Sequence, residues 1–153
     1  MNSWLLLICM GVLSQLSSGV AYNVTKTEGE VSQYEIVYHR KTYFGALKYC
    51  EELGGRLARI PDMERDKAVI SWVYTTNDEL GARYWIDAND IQEEGVYLRS
   101  DGAKQKFANW AKSEPNNKDN EDCIELSENA DYAWNDRSCY FPNYFICEFL
   151  IYH

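Results

Sequence analysis

Histidine is almost missing from this chain: His39 and His153 are the only two in 153 residues, and neither sits in an H-E-x-x-H or other zinc-binding spacing. No serine lies in a G-x-S-x-G elbow, no lysine ends a phosphate-cradling P-loop, and no G-x-G-x-x-G is present. Neighbouring acids such as Glu51-Glu52 and Glu93-Glu94 read as solvated faces, so nothing supplies a placed nucleophile or proton-transfer pair, and the chain is read as a non-enzyme. Basic clusters are lacking too. Lys and Arg total 15 against 24 Asp and Glu, a formal charge of -9, and they are scattered singly or in pairs. A phosphate backbone or an anionic membrane would be repelled, which argues against nucleic-acid partners and against membrane insertion. Internal repeats, low-complexity tracts and linkers are absent.

The first 21 residues, MNSWLLLICMGVLSQLSSGVA, contain no charged side chain, and every Asp, Glu, Lys and Arg follows them. The apolar run from Trp4 to Leu13 is too short to span a bilayer, and it gives way to small and polar residues. That is the profile of a cleaved secretory signal at 1–21, with Gly19 and Ala21 suiting a cut after Ala21. A cut after Gly19 fits nearly as well. No later apolar stretch reaches 18 residues, so a secreted, extracellular product is expected. Cys9 leaves with the signal, and Cys50, Cys123, Cys139 and Cys147 remain, an even set for an oxidising compartment. Two disulfides are expected. Spacing alone leaves three pairings open, and the lack of any C-x-x-C speaks against a thiolate zinc site.

Residues 22–30 are poor in apolar side chains and read as an exposed lead-in carrying an N-glycosylation sequon, Asn23-Val24-Thr25. The domain proper is 31–153. Gln33 to His39 reads as a strand in which Tyr34, Ile36 and Tyr38 share a face. Thr42 is placed to cap a helix running to about Leu53, with Phe44, Leu47, Cys50 or Glu51, and Leu53 at near-helical spacing and Gly54-Gly55 as its stop. Arg56 to Ile60 alternates as a short strand. Asp62 caps a second helix whose face is Val69, Trp72, Val73 and Thr76 and which ends before Asn77. Tyr84-Trp85-Ile86 reads as a buried strand. From Asp87 to Pro115 there is only one short apolar run, which predicts long irregular loops, a rare feature unless functional. Three closing strands follow, around Cys123–Leu126, Tyr132–Asp136 and Tyr144–Phe149. Strands at both ends with two helices between predict an α+β fold on an antiparallel sheet.

The chemistry concentrates in oxygen donors: Glu114, Asn116, Asn117, Asp119, Asn120, Glu121 and Asp122, then Asn135 and Asp136. A hard cation such as calcium takes six to eight oxygens from carboxylates, amides and backbone carbonyls, and tolerates the geometry of loops. The spacing is not that of an EF-hand. A merely hydrated acidic loop is the plainer alternative. Against it, Pro115 restricts Glu114, two acids abut Cys123, and Asn135-Asp136 stand three residues before Cys139. A Cys123–Cys139 bridge, if formed, would hold both donor groups together before any ion arrived.

The stretches EPNN at Glu114–Asn117, NEDC at Asn120–Cys123 and WNDRSC at Trp134–Cys139 resemble the C-type lectin-like domain family, in its calcium-dependent, mannose-type, short form. Tyr84-Trp85-Ile86-Asp87 is similar to the family's W-I-G segment, with Asp87 where glycine is usual, and Phe107–Trp110 to its F-x-x-W approach. The resemblance implies a double-loop α+β domain with Cys50 joined to Cys147 and Cys123 to Cys139. It implies a principal calcium site at Glu114, Asn116, Glu121, Asn135 and Asp136, with a cis Glu114–Pro115 bond, and an auxiliary one at Asp90, Glu94, Asn117, Glu121 and Asp122. Asn117 stands where an acid is common, which would weaken the second site.

In such lectins two vicinal sugar hydroxyls coordinate the ion and hydrogen-bond to the residues holding it. Glu114 and Glu121 would then accept from the sugar while the amides of Asn116 and Asn135 donate. The E-P-N order implies mannose-type glycans, on glycoproteins or microbial surfaces, and a setting in innate recognition. Tyr132 and Tyr140 are candidate sugar-facing aromatics, while Trp134 is assigned to the core. A shallow polar site binds one sugar weakly, so a homo-oligomer presenting repeated sites is expected. The competing expectation is the same fold used to bind a protein, ice or mineral surface.

Overall fold

The computed structural model describes residues 21–25, 30–77 and 79–152. The signal read at 1–21 lies outside them but for Ala21, and so does the 26–29 stretch of the lead-in. The elements are β1 (Ala21–Thr25), β2 (Glu30–Lys41), α1 (Tyr43–Glu52), β3 (Arg56–Leu57), α2 (Met63–Thr76), β4 (Arg83–Asn89), β5 (Cys123–Ser127), β6 (Trp134–Arg137) and β7 (Asn143–Tyr152). They form one seven-stranded sheet in the order β1-β2-β7-β4-β5-β6, with β3 pairing β7 off that path.

The sheet departs from the antiparallel expectation at its centre, where β4 runs parallel to β7 through Tyr84↔Tyr144 and Trp85↔Phe145. β4 leaves α2 and β7 arrives from the far end of the loop region, so both enter this centre from the same side. The other pairs are antiparallel. Ala21, read as the end of the signal, and Tyr22–Thr25, read as exposed lead-in, pair as a strand with Val31–Glu35.

Both faces of the sheet are covered, and alternation along β4 shows how. Tyr84 and Ile86 join the cluster holding Val69, Trp72 and Val73 of α2, while Trp85 joins the cluster holding Tyr43, Ala46 and Cys50 of α1. The buried α1 stripe is Tyr43, Ala46 and Cys50 with Leu47 packed beside it, so Leu47 and Cys50 of the expected stripe are found there while Phe44 and Leu53 are exposed. The small Ala46 lets the helix lie close to the sheet, and Cys50 anchors its last turn. Thr42 caps its start by accepting from Gly45 N, and Gly54, at φ 79°, ends it. Gly55 has no room for a side chain: a Cβ there would lie 2.7 Å from the Phe149 ring. Asp62 caps α2 by accepting from Arg65 N at 2.8 Å.

Cys50–Cys147 ties α1 to β7, and Cys123–Cys139 ties β5 to the turn after β6. The first spans 97 residues of sequence, and in the chain-entropy account it removes about 4–5 kcal/mol of unfolded-state freedom. Between β4 and β5, from Asp90 to Asp122, no helix or multi-residue strand forms; single bridges such as Asn89↔Leu98 and Trp110↔Trp134 hold the segment. Its aromatic anchors are half-buried against the core. Phe107 and Trp110 both pack edge-on against Trp134, at 5.6 and 6.0 Å between centroids, and the Trp134 indole donates to Asp66 of α2 at 2.8 Å.

Candidate functional site

The irregular segment and the β5–β6 hairpin meet at one place. Asp136 on β6 is fully buried, and its carboxylate accepts from the backbone N–H of Asn116 at 3.2 Å and of Asn117 at 2.7 Å. That pair of bonds fastens the 114–117 turn to the hairpin. The Glu114–Pro115 bond is cis, and Ser113, Asn117, Asp119 and Asn120 all have positive φ. Three of those four are Asn or Asp, the non-glycine types that enter this region most readily.

Glu114, Asn116, Glu121 and Asn135 line one open cleft of about 630 Å³, with Asp136 anchoring the turn beside it. Asn116 donates from its amide to Glu114 Oε1 at 2.8 Å, and its carbonyl oxygen accepts from Lys118 N at 2.7 Å. Asn135 donates to Glu125 Oε1 at 3.0 Å and to the Asp136 carbonyl at 2.5 Å, which leaves its own carbonyl oxygen as the free end. The expected donor role of the Asn135 amide is thus already taken up within the protein. Glu125 is the residue that sequence reasoning missed. It is completely buried, ion-paired to Arg83 and bonded to Asn143 at 2.6 Å, and it fixes the orientation of Asn135. Its place in Cys123-Ile124-Glu125-Leu126 looks like a solvent-facing position, but β5 lies between β4 and β6 and is buried throughout.

The second set is closed by Asn117. Its amide donates to Glu94 Oε2 at 2.6 Å and its carbonyl accepts from Glu121 N at 2.8 Å. Asp90 N donates to the Asp122 carbonyl at 3.0 Å, and Asp90 Oδ2 accepts from Gly95 N at 2.8 Å. Both expected sets are therefore contiguous. Among the described residues, however, no three Asp, Glu, His or Cys side chains are grouped as a ready metal cluster, because amides and backbone donors stand between the carboxylates.

The donor chemistry nonetheless fits a hard cation. Glu114 Oε2 and Asp90 Oδ1 are buried without a hydrogen-bond donor. Partial burial and the neighbouring Asp136 push the Glu114 and Glu121 carboxyls above their ordinary range, and burial with Asp90 nearby does the same to Glu94 and Asp122. Orphaned, mutually repelling oxygens are what a divalent ion relieves.

Of the candidate aromatics, Tyr132 is buried between Tyr74 and Tyr84 and accepts from the Asn77 amide at 2.8 Å, so it is not available to a ligand. Trp134 is buried, as assigned. Tyr140 is exposed but packs on Phe44 of α1. Asp87, the departure from glycine, is buried against Arg59 at 2.9 Å and accepts from Ser100 N and Oγ, each at 2.8 Å, pinning the start of the loop region to the sheet.

The Lectin C-type domain model matches residues 39–149. The chain belongs to this family. It is 38% identical to Collectin-11 of Bos taurus over 124 residues, 80% of this chain and 45% of that protein, and thus spans less than half of that relative. Perlucin of Haliotis laevigata is 32% identical over 111 residues, covering 71% of this chain and 70% of perlucin. The mouse scavenger receptor C-type lectin carbohydrate-recognition domain superposes with a TM-score of 0.68 at 24% identity, over 82% of this chain and 91% of that one, which shows a common fold. A calcium-independent type II antifreeze protein shares the fold as well, with a TM-score of 0.67 at 21% identity over 85% and 98% of the two chains. Domains of this lectin family are recognition modules rather than catalysts, and their common cofactor is calcium.

Proposed function

We propose that this C-type lectin domain is a secreted, calcium-dependent, mannose-type carbohydrate binder. The observation that carries the reading is that Glu114, Asn116, Glu121 and Asn135 line one open cleft while Asp136 fastens the first pair to the hairpin bearing the last. Glu114, Asn116, Glu121, Asn135 and Asp136 would hold calcium, which supplies charge neutralisation and open coordination positions for two vicinal sugar hydroxyls. Glu114 and Glu121 accept hydroxyl protons. Asn116 spends one amide hydrogen on Glu114 and keeps the other for a sugar oxygen. Glu125 holds Asn135 with its carbonyl oxygen free. Asp90, Glu94, Asn117, Glu121 and Asp122 form the auxiliary set.

The sequence before Ala21 supports secretion, Asn23 is a glycosylation acceptor, and a homo-oligomer would multiply weak single-sugar contacts on glycoproteins or microbial surfaces, in keeping with innate recognition. The deciding measurement is retention on immobilised mannose: EDTA and free mannose release the protein and galactose does not. Retention indifferent to EDTA sinks the reading. Exchanging Glu114→Gln together with Asn116→Asp is expected to shift preference toward galactose while calcium dependence persists.

A second reading, an interaction protein for a protein, ice or mineral surface, draws on the way Asn117 closes the auxiliary set without an ion and on the fold shared with the calcium-independent antifreeze protein. Calcium binding with no response across a broad glycan array would favour it.

A further inference from the structure

The cleft that holds the candidate ligands is lined on its other sides by cations, in a chain whose formal charge is -9. Arg83, Lys112, Lys118 and Arg137 all border it. Arg83 is committed to the buried Glu125. Lys112 and Lys118 are not, and Arg137 lies within electrostatic range of Glu121 and Glu125 without an ion pair to either. Among the described residues, neither Lys112 nor Lys118 nor Arg137 takes part in an ion pair within 4.0 Å, although acidic side chains outnumber basic ones overall. Arg137 is held in place by an uncharged surface instead, its guanidinium lying 4.1 Å from the centroid of the Phe141 ring. Each of the three is carried by a segment that supplies a candidate ligand: Lys112 precedes Glu114 by two residues, Lys118 follows Asn117, and Arg137 follows Asp136.

The acids on the same cleft are otherwise engaged. Glu114 and Glu121 belong to the candidate cation set, and Asp131 accepts from the Tyr74 hydroxyl at 3.0 Å. Cations outside ion pairs, beside carboxylates that a bound cation would neutralise, form a surface for a negative group on the ligand.

We infer that the preferred ligand of this site is an acidic glycan: a mannose-type sugar whose neighbouring position carries a phosphate, sulfate or carboxylate that Lys112, Lys118 and Arg137 receive. The inference rests on the sugar-binding reading above and narrows its ligand class. Lysines give a flexible, point-charge contact, and the stacked arginine a planar, two-donor contact, so the anion is drawn in without strict placement.

The test compares α-methyl mannoside with its 6-phosphate and 6-sulfate by titration of the full chain in calcium. The charged sugars are expected to bind roughly three- to tenfold tighter at low ionic strength, with the advantage shrinking toward parity in about 0.5 M salt. The double variant K112Q/K118Q should lose most of that advantage and leave α-methyl mannoside affinity unchanged, and R137Q should lose part of it. Both variants alter exposed or half-buried groups, and retained neutral-sugar binding reports that they fold. Equal affinity for neutral and charged sugars, or an advantage that survives in both variants, overturns the inference while leaving the sugar reading intact. Charged-sugar binding that persists undiminished in EDTA overturns it as well. Absence of any response to the neutral sugar in calcium overturns the sugar reading, and this inference with it.

Discussion

The sheet and the loop region treat their carboxylates in opposite ways. In the sheet, three buried acids each have a cation: Glu148 meets Arg56 at 3.0 Å and also accepts from Ser32, Asp87 meets Arg59 at 2.9 Å, and Glu125 meets Arg83. In the loop region Glu114, Glu121, Glu94 and Asp122 are pushed upward in pKa, by burial first and then by other acids, and two carboxylate oxygens have no donor. The first arrangement is complete within the polypeptide. On the proposed reading, the second is completed by a bound ion. Stability and recognition are thus assigned to different parts of one small domain, and removing groups from each should have different, even opposite, effects.

The largest effect belongs to the scaffold crosslink. Replacing Cys50 and Cys147 by serine is expected to lower unfolding stability by about 4–5 kcal/mol, against about 3 kcal/mol for the Cys123–Cys139 pair with its separation of 16. Denaturant midpoints measure both. The order should reverse for calcium-dependent sugar binding, because the shorter bridge holds the hairpin that carries Asn135 and Asp136. Equal losses of binding in the two variants would mean that the regions are not separable.

Next comes the charge comparison. Arg59→Ala strands a carboxylate with a fully buried side chain, and should cost about 3 kcal/mol. Glu114→Gln removes one of several repelling acids and keeps the side-chain volume, so without calcium its stability should stay within about 0.5 kcal/mol of the parent, while calcium-dependent retention on mannose is lost. Thermal unfolding in EDTA separates the two. A large destabilisation by Glu114→Gln would show that the loop acids are already satisfied.

Acid provides a third probe. Burial alone would raise the Glu148 carboxyl, but Arg56, Ser32 and the Arg59 N–H outweigh it and hold the group below the ordinary carboxylate range. A carboxyl whose folded pKa is depressed contributes stability above its unfolded pKa, and that contribution disappears as pH falls through the folded one. The Glu148 contribution should therefore be lost only as pH falls from the usual carboxylate range toward the lower folded pKa, and Glu148→Gln should flatten that part of the stability profile while costing about 1.5–3 kcal/mol near neutrality. An unchanged acid limb would remove Glu148 from the account.

Much of this division is legible in the sequence, and what is not has physical causes. The Asp62 cap, the α2 face of Val69, Trp72 and Val73, the strand at Tyr84–Ile86, the long irregular stretch and both disulfides are found as expected. The α1 face is turned from the expected one because Tyr43 and Ala46 compete with Phe44 at helical spacing, and only the closeness of the sheet selects them, with Leu47 packed at the edge of the buried face. The parallel β4–β7 pairing leaves no local signal, since it joins residues on either side of the entire loop region. Glu125 and Asp87 were illegible as core residues for the same reason: a buried acid is recognisable only when its cation, here Arg83 or Arg59, is brought from elsewhere in the chain. At the candidate site, the residue types and their order were legible, whereas the use of the Asn117 and Asn135 amides as internal bridges depends on loop geometry that composition does not encode.

The smallest expected effect tests that bridge. Asn117→Asp replaces the amide that donates to Glu94 Oε2 at 2.6 Å with a third negative group beside Glu94 and Glu121. Without calcium the lost hydrogen bond and added repulsion should lower the thermal midpoint only slightly, because Glu94 is exposed. With calcium the same substitution adds a charged oxygen ligand to the auxiliary set, and the sign should invert. Thermal midpoints of parent and variant, each with EDTA and with calcium, give the comparison: the variant melts lower than the parent in EDTA and gains more on adding calcium. A deficit of equal size under both conditions would mean that this half of the loop region, like the sheet, is complete without an ion.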